Sequence, residues 1–455
     1  MKPDLVVRDV MAVQPDGVRH ADIVVSGGRI EAVLDAGSGP RAARVIEGGG
    51  REAYPGIIDP HVHFRAHATS SAVGDAFEDL VEAAARGGVT SVIAFLIAPP
   101  EEIGVDAAEP WRQRVGLPVD FGLHYVLWPD DRHLRAIPAL VESGVTSFKM
   151  FMAYPERGFM FDGPRALDAL SRVGQAGGLM LVHCEEGNAI RWADELVRSR
   201  LGKKASILDY LAARPTRLEE VAIQLVGLWA ELVGCPLYLV HITTEGGLSA
   251  GRQLMARGLD VSLETCPQYL VADSELLLQY GPLAKFAPVL RSSEHRSALW
   301  RGVEEGTIRT IGSDHAGHLG TEKMRLQSEK GIIDVPYGAP GIETLFPLLY
   351  TSGVITGRLT KVQLARLTST HVARRFGWYP RKGTISPGAD ADLVLVDPSE
   401  ERAVEASSLR STAGYSLFEG LRLRGWPSIT ILRGAVTYEH GEVQPAGGRF
   451  QPTRT

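Results

Sequence analysis

The sequence is poor in cysteine, in long apolar runs and in clustered basic residues, and each shortage excludes a class of protein. Three cysteines in 455 residues, an odd number, do not suit the disulfide framework of a small secreted domain. No apolar run reaches the length of a membrane span, and the first ten residues lack a signal-peptide core. We therefore expect a cytoplasmic protein with reduced thiols and no membrane partner.

The charge balance disfavours nucleic acid as a partner. The chain has 48 lysines and arginines against 54 carboxylates, a net charge of −6, without a basic tail or stripe. Hydrophobic residues make up 44% and charged residues 22%, the composition of an ordinary globular protein. The length is sufficient for a large barrel and a second, smaller domain.

Between residues 54 and 378, short apolar runs alternate with amphipathic segments of helical character. The apolar runs number eight: GIIDPHVHF, TSVIAFLIA, VDFGLHYVLW, TSFKMFMAY, LMLVHCEE, LYLVHITT, DVSLETC and RTIGSDH. The alternation is typical of βα units that form a parallel sheet. Eight such units predict a (β/α)8 barrel of the TIM type, and therefore an α/β fold.

The two ends of the chain have a different sequence pattern, in which short β-type runs are separated by turns rich in Gly, Pro and Asp. Residues 1–53 include HADIVVSGGRIEAVL, in which Gly27 and Gly28 predict a hairpin turn. Residues 379–455 show the same pattern in ADLVLVD and SITILRGAVTYEHGEV. We expect one smaller β domain assembled from both ends of the chain.

The run TSFKMFMAY predicts a buried strand with Lys149 at its centre. A buried ammonium is costly to desolvate, and its pKa falls as a result. A neutral lysine can capture carbon dioxide as a carbamate, a carboxylate able to bridge two metal ions. The alternative is that the Lys149 side chain reaches solvent from the end of the strand.

Six residues of the kinds that bind metal ions lie in five of the predicted strands, mostly near the C-terminal ends: His61, His63, Lys149, His183, His241 and Asp314. Taken singly, each has an ordinary explanation, such as a core histidine or a helix N-cap. In a barrel, however, these strand ends converge on one mouth.

Six ligands exceed the needs of one tetrahedral ion but suit two ions about 3.5–4 Å apart, bridged by a hydroxide. We expect His61, His63 and Asp314 on one ion, His183 and His241 on the other, and the Lys149 carbamate across both. Such ligands suit zinc, and also manganese, cobalt or iron.

Longer motifs resemble the cyclic amidohydrolases of the amidohydrolase superfamily, in particular the dihydropyrimidinase/hydantoinase group. The shared sequence motifs include PGIIDPHVHF, TSFKMFMAY, VHCEEG, VHITT, ETCPQYL, IGSDHA, PGIETLFPLLY and PRKGTISPGADADLVLVDP. The resemblance implies a (β/α)8 barrel with a split β-sandwich, two zinc ions bridged by a carboxylated Lys149, and hydrolytic opening of a cyclic amide. It assigns the same six ligands and implies a homotetramer or homodimer.

The resemblance also implies catalytic roles for two residues. A metal-bridging hydroxide is expected to attack the ring carbonyl, with the Tyr154 hydroxyl stabilising the oxyanion. Asp314 is expected to pass the proton to the leaving nitrogen. The alternative for Tyr154 is a packing role at the barrel mouth.

Three departures from the group bear on the substrate. Arg65 follows HVHF where hydantoinases usually carry an acidic residue; HVHFR is similar to dihydroorotases and some allantoinases, in which this arginine holds a carboxylate. Ala287 and Tyr337 replace a substrate-contacting serine and asparagine. These three are the candidate substrate contacts.

Two other functions remain open at the level of sequence. Arg65 makes an allantoinase or a dihydroorotase the second candidate, although the alternative for Arg65 is a surface or loop-anchoring role. A non-catalytic assembly protein is the other alternative, because the dihydropyrimidinase fold has relatives that serve as scaffolds. Those relatives lack metal ligands, whereas this chain keeps all six.

Overall fold

Eight parallel strands form the central sheet of the computed structural model, which describes residues 2–65 and 74–455. Neighbours in the sheet follow the order of the chain. The strands are Ile57–His63, Val89–Leu96, Asp120–Val126, Ser147–Phe151, Leu179–His183, Leu237–Leu239, Val261–Thr265 and Ile308–Ile311. The His63 amide donates to the carbonyl of His315, just after the last strand, at 2.8 Å. The sheet is therefore a nearly closed barrel, and each strand overlaps one of the eight predicted runs, two of them beginning one residue earlier.

The barrel strands are apolar on both faces because the sheet is covered on both sides. Every residue of Val89–Leu96 and of Asp120–Val126 is buried, the pattern of a parallel sheet surrounded by helices. The α-helices are Phe77–Arg86, Val105–Arg112, Asp131–Arg135, Ile137–Glu142, Gly163–Gln175, Gly187–Leu201, Ile207–Ala212, Arg217–Val233, Glu245–Ala256, Pro267–Val271, Glu275–Tyr280, Ser293–Glu304, Gly320–Lys330, Leu345–Leu349, Lys361–Ala365 and His371–Arg375.

Shorter helical turns continue or connect these helices. Two are π-helical, Tyr350–Ile355 and Arg366–Thr370. The second joins the flanking α-helices into one late helix, as the run KVQLARLTSTHVARRFG predicts. The 3₁₀ turns are Pro155–Arg157, Gly202–Lys204, Gly281–Ala284, Ile332–Asp334 and Ala406–Ser408.

A nine-stranded sheet is built from both ends of the chain. Its strands are Leu5–Gln14, Gly17–Ser26, Arg29–Asp35, Arg44–Glu47, Glu52–Pro55, Leu393–Val396, Pro427–Leu432, Ala435–Glu439 and Glu442–Val443. The two ends meet where Glu52–Pro55 pairs antiparallel with Leu393–Val396. The predicted hairpin lies at Gly27 and Gly28, whose φ angles of 58° and 76° suit glycine. The smaller β domain from both ends is confirmed; its division from the barrel at 53/54 and 378/379 stays a prediction.

The last residues of the chain leave this sheet and return to the barrel. Gly448–Arg449 pairs with Val115–Leu117, and the Gln451 amide donates to the Phe121 carbonyl at 2.7 Å. A remaining short pair joins Glu401–Ala403 to Arg422–Arg424. Within the described residues, no helix has both the length and the apolar character of a bilayer span.

Candidate active site

Three of the predicted ligands form one cluster where the first and last barrel strands meet. His61 Nε2 and His63 Nε2 lie 3.1 and 3.2 Å from Asp314 Oδ1. One donor atom from each of the three lies within 4.8 Å of the others, a spacing compatible with a single cation. Burial opposes the charge of Asp314, but His61 and His63 hold its pKa well below the ordinary value, so its oxygens are available as ligands.

Two more predicted ligands form a second pair beside the first cluster. His183 ends the fifth strand and His241 follows the sixth; their Nδ1 and Nε2 atoms are 3.0 Å apart. The other nitrogen of His183 donates to Glu185 at 2.9 Å. Burial lowers the pKa of both imidazoles, which favours the neutral form that binds metals. The two facing nitrogens are therefore arranged as ligands of one ion are.

Lys149 lies in the fourth strand and is only 1% exposed, so its side chain does not reach solvent. Its Nζ is 5.1 and 5.0 Å from the ring centroids of Phe95 and Phe151. It makes no hydrogen bond to any residue in the described part of the chain. Burial lowers its pKa to about 8 despite the nearby Asp314, which increases the fraction of neutral amine. The solvent-reaching alternative for Lys149 is wrong.

Three of the candidate residues have strained backbones. Tyr154, His241 and Asp314 have φ angles of 65°, 41° and 51°, in the left-handed region that residues with a Cβ rarely adopt. Each lies just beyond a barrel strand, where the chain turns to aim the side chain into the mouth. Strain of this kind is concentrated at functional sites, because the surrounding fold must hold it.

The sequence analysis did not identify Glu264, the carboxylate under this cluster. Glu264 is the last residue but one of the seventh barrel strand, Val261–Thr265. Its Oε1 accepts from His61 Nδ1 at 2.6 Å and from the His241 amide at 3.2 Å. The Tyr238 hydroxyl donates to Oε2 at 2.9 Å. The Glu264 carboxylate thus fixes the orientation of His61, whose Nε2 makes no hydrogen bond and faces the cluster. The sequence signal that could have identified Glu264 was an ionisable residue within a predicted buried strand.

The ligand clusters open into a cleft of about 100 Å³ with an aromatic wall. The Tyr154 hydroxyl lies 3.3 Å from His183 Nε2, and burial raises its pKa well above the ordinary value, so it remains a donor. The cleft is lined by His61, His63, Ile97, Lys149, Phe151, Tyr154, Arg157, Phe159, His183, His241, Ala287, Asp314, Ala316, His318, Tyr337 and Gly338.

The three candidate substrate contacts separate in space. Ala287 and Tyr337 line the cleft, and the Tyr337 ring lies 5.3 Å from the ring of Tyr154. Arg65 is exposed, its amide donates to the Asp75 carbonyl at 2.9 Å, and it is absent from the described lining of the cleft. Outside the ligand clusters, the described lining of the cleft contains an arginine, Arg157, which was not identified from the sequence.

Comparison with known proteins places the chain in a family. The model of the amidohydrolase family matches residues 53–437. A D-hydantoinase of Ralstonia pickettii is 34% identical over 464 residues, covering 99% of each chain. An L-hydantoinase of Paenarthrobacter aurescens is 35% identical over 445 residues, covering 97% of this chain and 95% of that protein.

Comparison with solved structures indicates the same family. The solved structure of the L-hydantoinase (dihydropyrimidinase) from Arthrobacter aurescens superposes with a TM-score of 0.92 at 33% identity, over 100% of both chains. Similarity along the full length covers the barrel, the sheet from both chain ends and the ligand-bearing strand ends. The chain belongs to the amidohydrolase family, in its dihydropyrimidinase and hydantoinase group.

Proposed function

We propose that this cyclic amide hydrolase opens the ring of a dihydropyrimidine, a hydantoin or a related imide by metal-dependent hydrolysis. One observation carries the proposal: two groups of imidazole and carboxylate donors converge with a buried lysine and a tyrosine hydroxyl in one cleft. Relatives similar over their whole length are named D- and L-hydantoinases.

The residues present fit two divalent ions, most simply Zn²⁺. His61, His63 and Asp314 would hold one ion, and His183 and His241 the other. Lys149 Nζ lacks a hydrogen-bond partner in the described chain, as expected of an atom that carries carbon dioxide as a carbamate shared by both ions. When bound, the ions supply Lewis-acid polarisation of the ring amide and lower the pKa of the attacking water.

The protein's own side chains then position the ring and move the proton. Tyr154, kept protonated by burial, would donate a hydrogen bond to the oxyanion that develops on the attacked carbonyl. Asp314, with a carboxylate oxygen at the centre of the first cluster, would accept the proton of the attacking water and deliver it to the leaving ring nitrogen.

A ring-opening panel tests this function. The zinc-loaded protein is assayed with dihydrouracil, hydantoin, 5-substituted hydantoins, succinimide, allantoin and dihydroorotate. Turnover of hydantoins or dihydrouracil above the others is expected. Exclusive turnover of allantoin or dihydroorotate would contradict the proposal and return the function to the alternative that Arg65 favoured.

Lys149→Ala tests the carbamate, with Lys203→Ala as control because Lys203 is exposed. Loss of the shared ligand should lower metal content from two ions per chain and reduce turnover more than roughly a hundredfold. Metal content is measured by mass spectrometry, independently of activity. A Lys149→Ala protein that keeps both ions and normal turnover would exclude the carbamate.

We also propose that the protein is a cytoplasmic homo-oligomer, a tetramer or a dimer. All three cysteines, Cys184, Cys235 and Cys266, are free and buried, which fits a reducing compartment. Exposed apolar residues on the outer side of the helix Arg217–Val233 support an oligomer.

A further inference from the structure

Arg157 is a cation in the reaction cleft that has no carboxylate partner. Among the described residues lining the cleft outside the ligand clusters, only Arg157 and His318 have ionisable nitrogens. Burial lowers the pKa of His318 to about 3, so that imidazole is neutral. The single formal charge on this part of the lining is therefore the Arg157 guanidinium.

The position of Arg157 follows from the local chain. It ends the 3₁₀ turn Pro155–Arg157, which begins directly after Tyr154, and Gly158 with a φ of 75° closes the turn. The Arg157 Cζ lies 5.6 Å from the ring centroid of Tyr154 and 5.1 Å from that of Tyr337. At these distances the rings attract the guanidinium and hold it across the aromatic wall.

Two nearby arginines are neutralised by carboxylates, whereas the Arg157 guanidinium is not. Arg198 pairs with Asp334 at 2.8 Å, and Arg214 holds both oxygens of Asp194 at 2.8 Å. Arg157 is exposed, and its guanidinium forms neither an ion pair nor a hydrogen bond with any residue in the described ranges; only its backbone amide donates, to the Tyr154 carbonyl at 3.1 Å. Its guanidinium donors are therefore available to a ligand in the cleft.

We propose that Arg157, stacked on Tyr337, binds an anionic substituent of the substrate ring. The preferred substrates are then hydantoins that carry a carboxylate on the side chain at ring carbon C5, such as 5-(2-carboxyethyl)hydantoin. A guanidinium suits this role because it binds both oxygens of a carboxylate at once. The inference rests on the proposed ring-opening function and assigns to Arg157 the anion recognition that the sequence suggested for Arg65.

The test compares two substrates of equal shape, 5-(2-carboxyethyl)hydantoin and its amide, 5-(2-carbamoylethyl)hydantoin. The ratio of their kcat/KM values is measured for the wild type, Arg157→Gln and Arg191→Gln. Arg191 lies on the outer groove that Arg157 also borders, but it does not line the cleft. We expect the wild type and Arg191→Gln to favour the acid by roughly tenfold, mainly through KM, and Arg157→Gln to lose that preference.

The outcomes separate this inference from the function on which it rests. Equal use of acid and amide by the wild type, or an acid preference that survives in Arg157→Gln, overturns the role of Arg157. Opening of unsubstituted hydantoin in the same assay would then still uphold the proposed function, whereas failure to open any ring contradicts both. If Arg157→Gln does not fold, the wild type decides: a preference based on charge shrinks as salt rises, and one that is constant with salt overturns the proposal.

Discussion

At the scale of single residues, one buried carboxylate organises both halves of the candidate metal centre. Glu264 accepts from the His61 ring and from the His241 backbone, so it connects the cluster at the first strand with the pair at the fifth and sixth. Carboxylates that orient histidine ligands in this way also keep the ligand tautomer fixed. Glu264 therefore acts on metal affinity without being one of the proposed ligands.

Glu264→Gln should weaken metal binding on the order of 10- to 100-fold, because the amide accepts less strongly from His61 Nδ1. Glu219→Gln is the matched control. Glu219 is also buried, but it accepts from the amides and hydroxyls of Thr243 and Thr244. Zinc affinity is measured by competition with a chelator. Equal losses in both variants would assign Glu264 a purely structural role.

The convergence of the six candidate ligands was predictable because a parallel barrel brings its strand ends together whatever the loops do. Glu264 and Arg157 were not. Glu264 lies in a strand whose sequence is typical of a buried core. Its role in orienting His61 becomes visible in the distance of 2.6 Å between Glu264 Oε1 and His61 Nδ1. Arg157 required the shape of a 3₁₀ turn, which brings its guanidinium within 5.6 Å of the Tyr154 ring and 5.1 Å of the Tyr337 ring.

At the scale of elements, the helix Arg217–Val233 has an apolar face directed away from the barrel. Val221, Leu228 and Leu232 are 39%, 48% and 69% exposed, and their spacing of seven and four residues places them on one side. The outer face of a barrel helix is normally polar. An apolar patch on the outside of a protein often marks an interface, and we propose that this helix contacts a second copy of the chain.

Leu232→Glu should shift the protein towards smaller oligomers, because it places a charge in the proposed interface. Analytical ultracentrifugation measures the change, and Leu278→Glu is the control, since Leu278 is 66% exposed on the separate helix Glu275–Tyr280. A monomeric wild type, or an unchanged assembly of Leu232→Glu, would exclude this helix as an interface.

The sequence places amphipathic helical segments between the strands, but it does not show where those helices are interrupted. The run DRHLRAIPALVESG forms two short helices that meet at Ala136, because Pro138 near the start of the second lacks the amide needed to continue the first. The sequence also indicates an amphipathic helix at 219–234 without showing that part of its apolar surface faces outwards. Exposure depends on neighbours that are distant in the chain.

At the scale of the whole molecule, a buried ionic cluster ties the barrel to the sheet from the chain ends. Lys382 Nζ lies 2.8 Å from Asp120, which begins the third barrel strand, and 2.5 Å from Asp392, which precedes Leu393–Val396. Burial opposes its charge, but Asp392 and Asp120 raise the pKa of Lys382. It is therefore a cation at neutral pH that compensates two buried carboxylates.

Lys382→Met should destabilise the fold by about 3–5 kcal/mol, since it removes the cation beside Asp392 and leaves Asp120 paired with Arg433 alone. Lys361→Met is the control: Lys361 is 2.5 Å from Glu52, but its side chain is 36% exposed, and the Tyr54 and Tyr350 hydroxyls still donate to Glu52. Thermal unfolding compares the Tm values. Similar losses in both variants would show that the cluster contributes no more than a half-exposed ion pair.

The pairing of Glu52–Pro55 with Leu393–Val396 has a consequence for biosynthesis. The N-terminal strands leave the ribosome first, yet their antiparallel neighbour is made only after the entire barrel. Until then the edge at Glu52–Pro55 offers unpaired backbone groups to any other nascent chain. Completion of this sheet is therefore a late event in folding, because it waits for a strand that is made after the barrel.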